Sequence, residues 1–207
     1  MDEENLSLRD ALLRAAVVEF ASYGFDGARV DRIAARAKAN KQLIYHYFDD
    51  KRGIYREVIK YMMGSNAALR SSLSRGDDER LSLEEVYRQQ TAMFRGDALQ
   101  WYHLLGWEGL QGRGEPIVAH DIRRREFDAT SQALRQSQAA GKVDESLDPE
   151  MLIIFLMGLL MVPHLLPQLV TLATGLAIDD PMFERRYGEF VEEVLRRVGR
   201  PYDNNRA

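Results

Sequence analysis

The 207-residue sequence contains no cysteine, which excludes disulfides, thiolate metal sites and cysteine nucleophiles together and suits a reducing compartment. It also lacks a glycine-rich phosphate loop, a nucleophile elbow and any recognisable pair of catalytic carboxylates, so no catalytic residue is assigned and an enzyme is not expected. Strand-like alternation, internal repeats and low-complexity tracts are absent too. One apolar run approaches the length of a membrane span, MLIIFLMGLLMVPHLLPQLV at residues 151–170. Pro163 and Pro167 interrupt it, His164 and Gln168 sit inside it, and Asp148, Glu150, Asp179 and Asp180 flank it where a span would carry cations. The expectation is a helix buried on all sides, which in a chain this size calls for a partner subunit. The opening MDEENLSLRD lacks the basic and then apolar regions of a secretory signal, and the expected location is cytoplasmic, with no membrane partner.

What the sequence does contain is helical periodicity and an uneven charge. The net charge is −4, yet residues 27–60 carry nine cations against four anions, a basic footprint on an acidic body such as a phosphate-binding module joined to something else would leave. The class is all-α. The spacing predicts a first helix over residues 7–23 ended by Gly24, a second over 29–37, a third over 41–48 capped by Asn40, and a fourth over 51–73 opened by Asp49 and Asp50. A polar linker follows at 71–82, then longer helices at 83–95, 98–110, 116–140, 148–174 and 180–198.

Three helices within about fifty residues, the second and third short and tightly linked, outline a helix-turn-helix module. In the third helix Ile44, Tyr47 and Phe48 cluster on the side that packs, while Gln42 and His46 project opposite with Leu43 and Tyr45 on the shoulders. An amide, a phenol and an imidazole at the start of a helix suit the major groove: Gln42 can pair with adenine, and Leu43 and Tyr45 can meet thymine methyls. The Tyr47 hydroxyl, Lys51 and the start of the second helix near Arg29 are placed to grip phosphates on either side.

The run GFDGARVDRIAARAKANKQLIYHYFDDKRGI, residues 24–54, resembles the DNA-binding region of the TetR family of transcriptional regulators. The isoleucine-alanine pair of the second helix, the Tyr-x-x-Phe of the third and the lysine just beyond carry the likeness. It implies a homodimer with an N-terminal helix-turn-helix domain (1–50) and a larger C-terminal helical effector-binding and dimerisation domain (51–207), with helix 51–73 as connector. It implies base contacts from Lys41, Gln42, Leu43 and Tyr45, and backbone contacts from Arg29, His46, Tyr47 and Lys51. Ala28, Lys38, Asn40 and Gln42 stand where the family often has threonine, glycine, serine and a small residue, which weakens the cap of the second helix and leaves the operator sequence open.

The implied function is a ligand-responsive regulator, a repressor that binds a palindromic operator as a dimer and is released by a small, largely apolar effector. A DNA-binding dimer without effector, acting in chromosome organisation or division, is the alternative. Candidate pocket residues are Met93, Phe94, Trp101, Tyr102, His103, Trp107, Phe127, Met157, Met161 and His164, with residues 100–109 as the favoured wall. Candidate dimer residues are Phe155, Leu159, Phe183, Tyr187, Phe190, Val191, Val194 and Leu195 on the last long helices. His103, Glu108, His120 and His164 lack metal-ligand spacing, and no metal or cofactor is expected.

Overall fold

The computed structural model describes residues 3–65, 82–93, 97–112 and 116–199. Every regular element among them is an α-helix: α1 (Glu3–Gly27), α2 (Val30–Arg36), α3 (Lys41–Phe48), α4 (Lys51–Ser65), α5 (Leu83–Met93), α6 (Asp97–Gln111), α7 (His120–Ala139), α8 (Pro149–Leu165), α9 (Pro167–Thr174) and α10 (Pro181–Gly199). The all-α expectation holds. The chain separates into two compact units, one of Met1–Ser65 with Gly96–Arg123 and one of Asn66–Arg95 with Arg124–Ala207.

In the first unit the expected break at Gly24 is present, although α1 as a whole reaches further. It continues to Gly27 across a kink in which Gly24 takes φ 66° and ψ −178°, a conformation open to glycine and strained for any residue with a Cβ. The amide of Gln111 fills the space a Cβ would need, 2.4 Å from its built position. At the same break the indole N–H of Trp107 donates to the carbonyl of Ala21 at 3.1 Å, so a backbone acceptor beside the kink finds its partner on α6. One core then forms from Leu12, Ala16 and Phe20 of α1, Ile33 of α2, Ile44 and Phe48 of α3, Ile54, Val58 and Ile59 of α4, and Leu104 of α6. Each large side chain removed from water this way contributes about 1.5–3 kcal/mol.

Packing therefore divides the chain differently from the expected boundary at residues 50 and 51. Helix α4 sends Ile54, Tyr55, Val58, Ile59 and Met62 into the core that holds α3, and α6 joins the same unit. The expected extension of α4 to Leu73, and the linker expected at 71–82 up to its last residue, lie outside the described residues.

In the second unit the apolar run at 151–170 is two helices, α8 and α9, bent by 83°. The cause is a pair of prolines. Pro163 has no N–H to offer the carbonyl of Leu159, and Pro167 opens the next helix. The vacated Leu159 carbonyl accepts the hydroxyl of Tyr187 from α10 at 2.7 Å. Asp148 caps α8 by accepting from the Met151 N–H at 3.0 Å. Glu150 ties the start of α8 to α7 through Ser131 at 2.6 Å and Arg135 at 2.7 Å, bonds that hold its carboxyl down at about 2. Helix α7 begins at His120 instead of Pro116, because Ala119 turns into the left-handed region at φ 57°.

The run is not buried on all sides within its own chain. Leu152, Ile153, Leu156 and Leu160 are buried, while Met151, Ile154, Phe155 and Val162 form an exposed stripe along α8. Among the expected dimer residues, Phe155 and Phe190 are exposed and Leu159, Tyr187 and Val194 half-buried. Phe183, Val191 and Leu195 need correction: they are 6%, 0% and 0% exposed within the single chain. Their spacing of eight and four residues turns one stripe of α10 inward, and Arg88 of α5 reaches Glu192 on the same helix, so these three are core and cannot also face a partner. No single helix among the described residues is long and apolar enough to cross a membrane.

Two glycines make the packing testable with opposite signs. A Cβ on Gly53 would lie 1.8 Å from the carbonyl oxygen of Phe48, so Gly53→Ala has to shift the α3–α4 junction and is expected to lower stability by about 1–3 kcal/mol. Gly109, inside α6, has nothing within 4 Å of that position. Gly109→Ala is expected to raise stability by about 0.5–1 kcal/mol, and urea unfolding followed by circular dichroism measures both.

Candidate nucleic-acid interface

Helix α3 packs one side and exposes the other, and three local devices set its direction. Asn40, with φ −75° and ψ 136°, accepts the N–H of Gln42 on its side chain at 2.9 Å and so defines where the helix starts. Ile44 and Phe48 are 0% and 3% exposed and fix which side faces inward. Asp50 accepts the Gly53 N–H at 2.6 Å and closes the turn into α4. Lys38, in the link from α2, sits at φ 52°. That is the region where glycine is favoured and any other residue costs about 1 kcal/mol, which explains the glycine common at this place in the resembled family.

Helix α2 lacks a side-chain cap of its own at Arg29, as expected from Ala28. The deficit is met from elsewhere. Glu19 of α1, 0% exposed, accepts the backbone N–H of Arg29 at 2.9 Å and the guanidinium of Arg32 at 2.6 Å. Arg32 also donates to the Gly27 carbonyl at 2.8 Å and lies 4.2 Å from the Tyr23 ring, and the Glu19 bond raises its pKa. Glu19 was not among the candidate residues, but the signal was in the sequence: it falls seven residues after Leu12 and three after Ala16, on the apolar face of α1.

With the frame fixed, Gln42 and His46 are exposed, Tyr45 is 46% exposed, and Leu43 and Tyr47 are half-buried. Gln42, Tyr45 and His46 thus share the outer surface, and Leu43 and Tyr47 sit at its edges, packed against the core. The Tyr47 ring meets His46 and Phe48 edge-on at 5.0 and 6.2 Å. Arg29 is exposed at the start of α2. Lys51 donates to the Asp26 carbonyl at 3.3 Å and sits 4.9 Å from the Phe25 ring, and burial lowers its pKa. Lys41 is already engaged: its ammonium lies 2.8 Å from Asp31 on α2, a hydrogen bond that raises its pKa. Asp31 is a second residue the sequence reading passed over.

The expected pocket residues are divided between the two units. Trp101 packs against the first unit's core, Tyr102 is buried, and Trp107 is bound to Ala21; His103 lies half-buried on the same helix. The surplus of rings at 100–109 thus goes into seating α6 on α1. Phe127, Met157 and Met161 belong to the second unit. There His164 borders a cavity between α5, α8 and α10. The Met93 side chain and Phe94 lie outside the described residues. The first unit has a cavity of its own, about 680 Å³, edged by Tyr55, Leu105, Glu108 and Arg123. Its polar wall is closed on itself: Arg123 chelates Glu108 at 2.5 and 3.0 Å, and Tyr55 donates to the same carboxylate at 3.1 Å. Burial first, then Glu108, pushes the Tyr55 phenol up. No group of three metal-ligating side chains gathers among the described residues.

The family model described as bacterial regulatory proteins of the tetR family matches residues 12–58, and one described as a tetracyclin repressor-like C-terminal domain matches residues 98–197. Among curated proteins, the HTH-type transcriptional repressor SCO4008 of Streptomyces coelicolor is 30% identical over 165 residues, 79% of this chain and 82% of that one. The HTH-type transcriptional repressor NicS of Pseudomonas putida is 39% identical over 57 residues, 28% of this chain and 27% of that one. Among solved structures, the transcriptional regulator SCO4942 of Streptomyces coelicolor superposes with TM-score 0.66 at 24% identity, covering 90% of this chain and 97% of that one. A TetR-family regulator from Mesorhizobium loti gives TM-score 0.64 at 20% identity over 96% and 98%. TetR-family regulators bind DNA and act as dimers, and they are transcription factors, not enzymes. Joined to the geometry of α3, these likenesses place the chain in the TetR family of bacterial transcriptional regulators.

Proposed function

We propose that the protein is an effector-responsive repressor, acting in the cytoplasm, whose dimer binds a palindromic operator. The observation that carries the reading is the outer surface of α3, where Gln42, Tyr45 and His46 stand exposed over buried Ile44 and Phe48. Such a helix enters a major groove with its first turn, so Lys41, Gln42, Leu43 and Tyr45 meet base edges while Arg29, His46, Tyr47 and Lys51 hold phosphates. Two copies related by a two-fold axis read two half-sites on one face of the duplex, and a palindrome follows. Repression is the activity named for SCO4008 and NicS. Release by a small molecule needs only that it favours the dimer whose modules are wrongly spaced.

The dimer interface in this reading is the exposed stripe of α8 with Phe190 of α10. These side chains are too many and too large to be left in water without a purpose, and the residues beneath them are already committed to the chain's own core.

The reading is tested first on DNA. Native genomic fragments retained by the protein are expected to share a palindromic site, and a dimer that ignores every duplex at low salt would sink the proposal. Gln42→Ala is expected to change base preference at one position per half-site, by about 1–3 kcal/mol. Lys51→Ala is expected to weaken binding to all sequences alike and to reduce the slope of log affinity against log salt by about one. Asp31→Asn, which frees Lys41, is expected to act oppositely and tighten binding to every duplex. Fluorescence anisotropy across a salt series measures all three. For the interface, Ile154→Glu with Phe155→Glu is expected to give folded monomers by light scattering; an unaltered dimer would refute the assigned face.

A further inference from the structure

Helices α5, α8 and α10 of the second unit border a half-open cavity of about 620 Å³. Part of this room comes from Gly188, which borders the cavity and on which a built Cβ meets no atom within 4 Å. Leu160 and Pro163 supply apolar wall. Facing them are the Phe183 and Tyr187 rings, 5.4 Å apart and inclined by 18°, and the second ring is pinned by its hydroxyl to the Leu159 carbonyl. A flat ring entering here finds parallel aromatic surface that needs no rearrangement, and pre-ordered walls favour binding because little side-chain freedom is left to lose.

The charges at the cavity are unequal. Glu192 is chelated by Arg88, with both bonds at 3.0 Å, so these two cancel. Glu184 also borders the cavity, and its carboxylate has no ionic partner among the described residues. The Tyr87 phenol is pushed up by burial first and then by Tyr187 and Glu192, so it adds no negative charge of its own near neutral pH. The His164 imidazole also borders the cavity, and Glu184 is the one lining carboxylate without an ionic partner among the described residues; beside aromatic faces it attracts a cation twice, through charge and through the ring quadrupoles.

We infer that this cavity is the effector site and that it takes a flat aromatic molecule bearing a protonated amine, with the ring against Phe183 and Tyr187 and the ammonium at Glu184. An anionic ligand would have to displace Glu192 from Arg88 while facing Glu184, and a wholly apolar one would leave that carboxylate without a counter-charge. The role as effector rests on the effector-responsive reading above; the ligand chemistry does not.

The test uses three probes with one ring system: 2-(1-naphthyl)ethylamine, 2-(1-naphthyl)ethanol and 1-naphthylacetate, titrated calorimetrically into the full-length dimer. The amine is expected to bind about three- to fivefold more tightly than the alcohol, the advantage expected of one partly exposed ion pair, and the acetate most weakly. Glu184→Gln, an exposed substitution, is expected to abolish the preference for the amine over the alcohol. Gly188→Phe fills the cavity from a helical position with open space around it and is expected to bind none of the three while keeping the wild-type circular dichroism spectrum. The inference is overturned if amine and alcohol bind wild type equally, if the acetate binds best, if no probe binds, or if a folded Gly188→Phe protein still takes the amine. Operator release is scored separately: amine binding at Gly188 and Glu184 with unchanged operator affinity would leave the ligand chemistry standing and remove the effector-responsive reading.

Discussion

The buried carboxylate of Glu19 is the constraint on which the DNA-facing half depends. A helix-turn-helix needs its second helix held rigidly, because any rotation of α2 is passed through the tight 37–40 link to α3. Here α2 begins without a side-chain cap, and Glu19 supplies one from α1, taking both the first free N–H and the Arg32 guanidinium. Burying a carboxylate costs several kcal/mol unless it is paired and hydrogen-bonded. One of its oxygens has both partners, and the other has none among the described protein atoms. The pair therefore specifies orientation more than it stabilises: rotating α2 away would leave a charge stranded among Leu12, Ala16 and Phe20.

That logic explains what could be read in the sequence and what could not. The all-α class, the start of α3 at Asn40 and the inward set of Ile44 and Phe48 follow from spacing of three and four residues and from one capping residue, which are local properties. Glu19 was legible in principle from its place on an apolar face, yet its partner ten residues on depends on how α1 and α2 cross. The Lys41–Asp31 pair escaped for the same reason, since it joins two helices whose relative rotation no periodicity gives. Lys38 is intermediate: the departure from glycine was visible, but its cost appears only with φ 52°.

The second half was read less well, for a physical reason that differs. Aromatic residues in excess can wall a cavity or seat one helix on another, and composition cannot tell these apart. Trp107 turned on the kink at Gly24, which exposes the Ala21 carbonyl for its indole to reach. Phe183, Val191 and Leu195 lie on an apolar stripe of α10, which periodicity alone cannot distinguish from a partner-facing one. A clean stripe is what packing inside one chain requires, however, and a dimer face is better sought among large apolar residues left over, such as Ile154 and Phe190 at 63% exposure each.

Helix α10 then serves two surfaces at once. Gly188 and Phe190 are two residues apart, about 200° around the helix, so one borders the cavity while the other stands exposed on the outer side. Its inner stripe is tied at Tyr187 to the carbonyl that Pro163 leaves open and at Glu192 to Arg88 of α5. A ligand that presses on Phe183 and Tyr187 cannot move these rings without either breaking the Leu159 bond or carrying α10 with them. Because packed interiors shift between discrete arrangements rather than yield gradually, the second course would displace the outer face as a body. In the proposed reading, a ligand in this cavity and a dimer built on that face would be coupled through a single helix, with no relay of intermediate residues needed.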